Sequence, residues 1–433
     1  MSRAALVGLG IVAGLISAAL LAAPPPRRGE PAGAAAPAPA AAGNARITLS
    51  ADGRAIYIVG PIMDGSFLQF DALLQTAPLV RTVYLASPGG LTIEGRLISA
   101  LVRKRQLGTY VETYCASACT QVFVAGHERV LGPHGELGFH QAIGIDERGR
   151  TTQVTGVTRR ALSPHSVFGV SGNDTLRLAY QNAGIAPGFI AAALARPHNQ
   201  IWLPSAAELR TAQVITRQAE RAEFAPPPGA QSPGQIGAIL ANLPFWQRAK
   251  GQLPAAHADA AQAVWRRVNS GTPMDAAIST ARAGLVIAAW PLLARADDQL
   301  AGAMLKLYAE AARRQRLGGY PLCQSADLIV DTPDSQLDPA FEAAEDQLLI
   351  ALFDTPRPEA PLSPAAAQQI FAKEVVPQLI AGLEFTGAGS AQTSCQTGFA
   401  MFEAIDRLPA GTRVTAYRAL LSLPGLLDGA APA

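Results

Sequence analysis

The sequence predicts an α/β domain followed by an all-helical domain. Three observations carry this. Between residues 45 and 224, short apolar runs of strand type alternate with runs of helical spacing, the pattern of a parallel sheet covered by helices. From 236 to 433, Ala and Leu recur at helical period almost throughout. Between the two, Ala225-Pro226-Pro227-Pro228-Gly229 opens a linker over 225–235 that continues neither pattern.

In chain order, residues 1–23 come first. Ala4 to Ala23 is a run of uncharged, mostly apolar residues behind Arg3. It is about as long as the ~20 residues that span a bilayer. It reads either as a membrane anchor left in place or as an export signal cut near Ala22 and Ala23. Residues 24–44 are nearly all Pro, Ala and Gly, a semi-stiff tether with no apolar face. An apolar segment, a tether and a globular body describe an exported protein held at a membrane.

Arg46–Ser50 and Ala55–Val59 flank Asp52-Gly53 and read as a hairpin. Phe67 to Thr76 reads as a helix with Phe70, Leu73 and Leu74 on one face. Thr82–Ala86 is a buried-type strand. Leu91 to Arg105 is a helix with Leu91, Gly95, Ile98, Leu101 and Val102 at helical spacing, ending on Arg103-Lys104-Arg105. Leu107–Tyr114 reads as one strand and Ala116–Ala125 as a helix. Gly144 to Gly172 is polar and Gly-rich and reads as an inserted loop. Ser205 and Glu208 form a capping-box pattern. Beyond the linker, helices are expected at Ala258–Val268, Ala276–Leu293, Gln299–Arg314, Phe341–Phe353 and Ala365–Leu383.

At 49% hydrophobic and 16% charged, the chain can bury sizeable cores. A formal charge of +2 gives no electrostatic case for nucleic acid. No cofactor motif or metal-ligand cluster stands out. Cys115 and Cys119 are too few for zinc; they read as two buried residues at a tight helix start or as a local disulfide. Cys323 and Cys395 are the cysteines of the helical domain; they read as two buried apolar residues or as a bridge, and the bridge fits export better.

The chemistry gathers between Val83 and Gln141. Ser87-Pro88-Gly89-Gly90 closes one strand-type run. Ser117, in Cys115-Ala116-Ser117-Ala118-Cys119-Thr120, stands where a second such run gives way to a helical one. His140 closes a Gly-rich segment in Phe139-His140-Gln141. Alone, Ser117 fits a helix cap, His140 a core histidine and Gly89-Gly90 an ordinary turn. Together they are the parts of an acyl-transfer site: serine needs a base to take its proton, and glycine lets a carbonyl approach a backbone N–H. A Ser–Lys pair is disfavoured, because Lys104, at the charged end of a helix, is the one lysine in this domain.

In order and spacing, these motifs resemble the proteolytic subunit of Clp protease, of the Clp protease/crotonase ββα spiral fold. Cys115 to Thr120 resembles a group of bacterial envelope proteins in that superfamily. The resemblance covers about Ala45 to Thr216. It implies Ser117 as nucleophile, His140 as base, and the N–H groups of Gly90 and Ala118 as oxyanion hole. It implies a peptide or protein substrate, no cofactor, and a homo-oligomer among the possible assemblies. The third triad member departs from the family. An aspartate is expected about fifty residues after the histidine, and here the region reads Arg196-Pro197-His198-Asn199-Gln200. Asn199 is the nearest match in shape, able to hold the histidine's tautomer without supplying a charge. Asp146 and Asp174 are the other candidates. The expected function is a membrane-tethered serine hydrolase, a peptidase, on the periplasmic side of the inner membrane or free in the periplasm. The rivals are a protein-binding scaffold that kept the fold without the rate, and a crotonase-type acyl-CoA enzyme.

Overall fold

The computed structural model describes residues 44–142, 144–145, 151–152, 172–196, 201–318, 338–355, 360, 362–382 and 391–423. The described chain divides into two compact units, 44–231 with 265–273, and 232–264 with 274–423. The proposed anchor and tether, Asn199, Asp146 and Cys323 lie outside the described residues, and with Cys323 the expected Cys323–Cys395 bridge.

The α/β unit is built on a six-stranded sheet. Strand β1 (Arg46–Leu49) turns at Asp52-Gly53 into β2 (Ala55–Val59). The Ser50 hydroxyl donates to Asp52 at 2.6 Å and accepts from the Ala55 N–H at 2.9 Å, which closes the turn. Helix α1 (Ser66–Thr76) leads to β3 (Thr82–Ala86), α2 (Thr92–Lys104) and β4 (Gly108–Val111). Strands β6 (Arg129–Leu131) and β10 (Arg217–Gln218) complete the order β1-β2-β3-β4-β6-β10. From β2 onward every pairing is parallel, and β1 is an antiparallel edge.

The inner strands β2, β3 and β4 are buried at nearly every position because both faces of the sheet are covered. Ile56, Ile58, Val83 and Leu85 join Phe70, Leu74, Ile98 and Val102 of the helices in the main core. On the other face Tyr57, Tyr84 and Tyr110 stand in register, their rings edge to face at 5.2 and 5.4 Å, with Phe224 over Tyr110.

The run read as one strand, Leu107–Tyr114, is two. The chain leaves the large sheet after Val111, bends at Glu112-Thr113, and enters β5 (Tyr114–Ala116), which pairs in parallel with β7 (Glu136–Gly138) in a second, small sheet. The period-2 pattern carries no mark of this break, since residues on both sides of it are buried. Helix α3 is Ala118–Phe123, shorter than expected, and begins after Ser117. In the stretch read as an insertion, Gly144–Ile145 (β8) and Thr151–Thr152 (β9) pair antiparallel, and Gly172 opens α4 (Gly172–Asn182). Then come α5 (Pro187–Ala195) and α6 (Ala206–Thr211), the latter with the Ser205–Glu208 capping box in place.

In the second unit every described element is helical. It contains α7 (Pro233–Leu240), α8 (Pro244–Gln252) and the first turns of α9 (Pro254–Asn269), then α10 (Met274–Leu293), α11 (Asp298–Leu317) and α12 (Pro339–Asp354). Next, α13 (Pro364–Ile370) passes through one π turn, Phe371–Val375, into α14 (Val376–Gly382). Pro377 accounts for the π turn, because its ring removes an N–H and crowds the carbonyl one turn back. Helices α15 (Ala391–Asp406) and α16 (Ala410–Leu421) close the unit. Helix α10 is long and apolar enough to cross a membrane, but it serves as a core helix. Its Arg282 is buried, donating to Glu345 at 2.6 Å and to Asp346 at 2.7 Å.

Candidate functional site

The small sheet places Ser117 and His140. Strand β5 ends at Ala116 and β7 at Gly138, which face each other in register. The Ser117 N–H donates to the Gly138 carbonyl at 3.0 Å. Because the strands are parallel, the residues that follow them emerge at the same end, and His140 is two residues past that pairing. His140 is 9% exposed, while Ser117 is half-buried and reachable from solvent.

Ser117 has φ 54° and ψ −126°, outside the regions open to residues with a Cβ. Such a conformation costs about 1–3 kcal/mol and persists only where the surroundings over-determine it. Two other described non-glycine residues have positive φ, Gln106 and Gln213. Both follow a helix end, and each is spanned by a bond of the kind that terminates helices, Leu107 N–H to Val102 O and Val214 N–H to Leu209 O. Ser117 stands instead at a helix start, at a sharp strand-to-helix corner of the kind that exposes a nucleophile.

Several bonds hold this corner. The Ser117 carbonyl accepts from the Thr120 N–H at 3.0 Å and from the Thr120 hydroxyl at 2.6 Å. That hydroxyl lies 2.8 Å from the Tyr180 hydroxyl of α4. Since the threonine proton goes to Ser117, Tyr180 is the donor. Burial raises the Tyr180 phenol, so it stays protonated and able to donate. Cys115 and Cys119 form a disulfide around the corner, with Cα atoms 5.4 Å apart, which decides between the two readings of this pair.

Among the described residues the backbone N–H groups of Gly90 and Ala118 have no hydrogen-bond partner. Gly90 bridges Ile62 in parallel: the Ile62 N–H donates to Gly89 O at 2.7 Å, and the Leu91 N–H to Ile62 O at 2.8 Å. In a parallel bridge the bonds go to the neighbours of the bridging residue, so Gly90's own N–H points away from Ile62. Gly90 has φ 138°, and a Cβ there would lie 2.2 Å from Ile62 O. At Gly89, with φ 107°, a Cβ would lie 2.6 Å from Ser117 Cβ and 3.1 Å from Ala118 N. The absent side chain at 89 is what uncovers the Ala118 N–H, the first of α3.

His140 Nδ1 lies 2.8 Å from the carbonyl oxygen of Gln141. A carbonyl only accepts, so this bond puts the proton on Nδ1 and leaves the lone pair on Nε2. No side-chain signature could have revealed this partner in the sequence. Ser117 Oγ makes no hydrogen bond among the described residues, including to His140. Asn199 lies outside them. The residues flanking 197–200 are anchored on either side of His140: the Gln141 N–H donates to Arg196 O at 3.0 Å, and Phe139 pairs with Trp202 at 2.9 Å both ways. Asp174 is exposed in the first turn of α4. Among the described residues no group of His, Cys, Asp or Glu is placed to hold a metal ion.

No protein-family model matches the chain, and no curated protein matches it. Part of it is similar in structure to two solved chains from Listeria monocytogenes. ClpP1 gives a TM-score of 0.31 at 17% identity, and an asparagine-to-aspartate variant of ClpP1 gives 0.30 at 16%. Each similarity covers 40% of this chain and 94% of the other. At that level no residue's role is taken from the likeness.

Proposed function

We propose that the α/β unit is a serine hydrolase acting on peptides, with Ser117 as nucleophile and His140 as base. The observation that carries this is the strained Ser117 corner with two open N–H groups, of Gly90 and Ala118, beside it. Ser117 Oγ bonds to the substrate carbonyl carbon while its proton passes to His140 Nε2. The carbonyl oxygen becomes an oxyanion and accepts from the two N–H groups. His140 then returns the proton to the leaving amine, and water, activated the same way, releases the acyl group.

The test is labelling of the full chain with a fluorophosphonate. Ser117 Oγ bonds to phosphorus, fluoride leaves, and His140 takes the proton. Wild type labels at one serine, and Ser117→Ala does not. Equal labelling of Ser117→Ala overturns the assignment.

Two observations favour a second reading, a binding scaffold with a silent site. Ser117 and His140 share no hydrogen bond, and the aspartate of the resembling family is missing. Catalytic bonds often tighten only when substrate binds, which keeps the hydrolase reading first. Tethering at the periplasmic side of a membrane through residues 1–44 rests on the sequence alone. Its test is fractionation, where a soluble form beginning after Ala23 supports a cut signal instead.

A further inference from the structure

We propose that the Cys115–Cys119 disulfide is a positioning device that holds Ser117 in its reactive conformation, a role that rests on the hydrolase reading of the site. The two sulfurs close a ring around Cys115-Ala116-Ser117-Ala118-Cys119, with the candidate nucleophile at its midpoint. A disulfide needs Cα atoms about 4.4–6.8 Å apart. Residues four apart in a continuing strand are about 13 Å apart at strand rise. The bridge therefore excludes a β5 that stays extended through Cys119.

Strand pairing excludes the opposite alternative, a helix that starts earlier. Cys115 is fixed in register between Ser87 on one side and Leu137 on the other. Ser87 donates its N–H to Tyr114 O at 2.9 Å and accepts from the Ala116 N–H at 3.0 Å. Residues 114–116 are thus held extended, while residues 118–123 are helical. All of the reversal between them falls on Ser117, which takes the left-handed backbone that glycine would normally supply. The Thr120 hydroxyl and N–H fix the Ser117 carbonyl from the helix side, and the disulfide fixes the distance across the corner.

Cys115 and Cys119 are both fully buried, in the same core cluster as Leu137 and Phe139. Neither residue presents surface to a thiol reductant in solution. The bridge is therefore a permanent part of the site and not a switch that opens and closes in use.

The experiment compares the full-length wild type with Cys115→Ala/Cys119→Ala. The double variant is expected to fold and to label with fluorophosphonate at least about tenfold more slowly, since small displacements of a nucleophile carry large rate losses. Leu74→Ala, a buried change on α1, controls for lost stability and keeps the wild-type labelling rate. A crystal structure of the double variant is expected to show Ser117 at negative φ. Wild-type labelling by the double variant, or a Ser117 still at positive φ in that structure, overturns the proposal. If the wild type does not label, the hydrolase reading fails, while the Ser117 backbone still decides whether the disulfide holds the corner. Should the double variant not fold, Cys119→Ala alone keeps Cys115 packed between its strands and gives the same two readouts.

Discussion

Gly89 and Ser117 come so close that a single added carbon on the glycine would sit 2.6 Å from the serine's Cβ. They belong to separate crossovers of the chain, Gly89 after β3 and Ser117 after β5. Their approach leaves room over the Ala118 N–H, and the next residue, Gly90, turns its own N–H away from Ile62. Two glycines in sequence thus differ in role: one clears a space, and in the proposed site the other would supply a donor.

Gly90→Ala separates these roles. The backbone at φ 138° does not suit alanine, and the new Cβ would lie 2.2 Å from Ile62 O, so the bridge between Ile62 and Gly90 must shift. The expected cost is about 1–3 kcal/mol in stability. Fluorophosphonate labelling should fall on the order of 10²-fold, the loss typical of one oxyanion donor. Gly284→Ala, at a helix position where a Cβ meets nothing within 4 Å, should raise the melting temperature and leave labelling alone. Thermal melts and labelling rates of the two variants check both halves.

Much of this unit was legible in the sequence. The strands Ala55–Val59 and Thr82–Ala86 are observed at those bounds, and the helix read at Leu91–Arg105 is Thr92–Lys104. Long periodic runs and cap chemistry survive tertiary packing. The three-residue strands β6 and β7 do not show in a pattern, because they are shorter than any window that measures period. Helix α4 was missed because its mean composition is polar and its start lies in a Gly-rich stretch. Ser117, Gly90 and His140 could be singled out, but the Gln141 carbonyl could not, since backbone groups leave no trace in residue identity. The Thr120–Tyr180 pair was equally hidden, joining residues that lie in different elements.

In the helical unit, Arg282 is buried between Glu345 and Asp346, with Tyr308 donating to Glu345. Burial raises the Asp346 carboxyl against the pull of Arg282. Arg282→Met removes the guanidinium that both carboxyl groups face and leaves Glu345 buried without its partner. The expected loss is about 3–5 kcal/mol. Arg282→Met/Glu345→Gln should recover most of it, because the amide is uncharged and keeps an acceptor for Tyr308, and the remaining Asp346 side chain is 32% exposed and can be hydrated. Denaturant melts of both variants test this, and equal losses would mean that packing and not charge holds the position.

Glu112 offers a pH test in the α/β unit. It is buried, and burial raises its carboxyl above the usual value, against the hydrogen bond from Tyr110 and the charge of His134. The folded chain therefore holds this proton more tightly than the unfolded chain does. The stabilisation is fully present below the unfolded carboxyl value and is lost as pH rises through the folded one. Glu112→Gln keeps an acceptor for Tyr110 and carries no charge. It should melt above wild type at pH 7, with the gap narrowing as pH falls towards 4, where the wild-type carboxyl is protonated. A gap that widens on acidification would reverse the assigned sign.

The last prediction concerns what orients His140. Its Nδ1 donates to the Gln141 carbonyl at 2.8 Å, so the backbone already selects the tautomer with a basic Nε2. A carbonyl, however, supplies no negative charge to the imidazolium that the proposed mechanism would form on His140. Loss of the asparagine side chain should then matter little for tautomer: Asn199→Ala is expected to lower turnover by less than ~10-fold and to leave Ser117 labelling detectable, because the oxyanion donors remain. A charge at position 199 should matter more. Residues 197–200 are flanked by Arg196 and Trp202, which bond to the backbone on either side of His140. Asn199→Asp is therefore expected to raise turnover of a peptide or ester substrate by roughly 10-fold, through stabilisation of the cation. His140→Ala should remove about 10²–10⁴-fold, the usual worth of a positioned base. Steady-state rates of the three variants on one substrate decide the matter. Abolished labelling in Asn199→Ala would show that the Gln141 carbonyl does not suffice to hold the tautomer. An unchanged rate in Asn199→Asp would place that side chain away from the ring and leave the Ser117–His140 pair to act as a dyad oriented by the backbone.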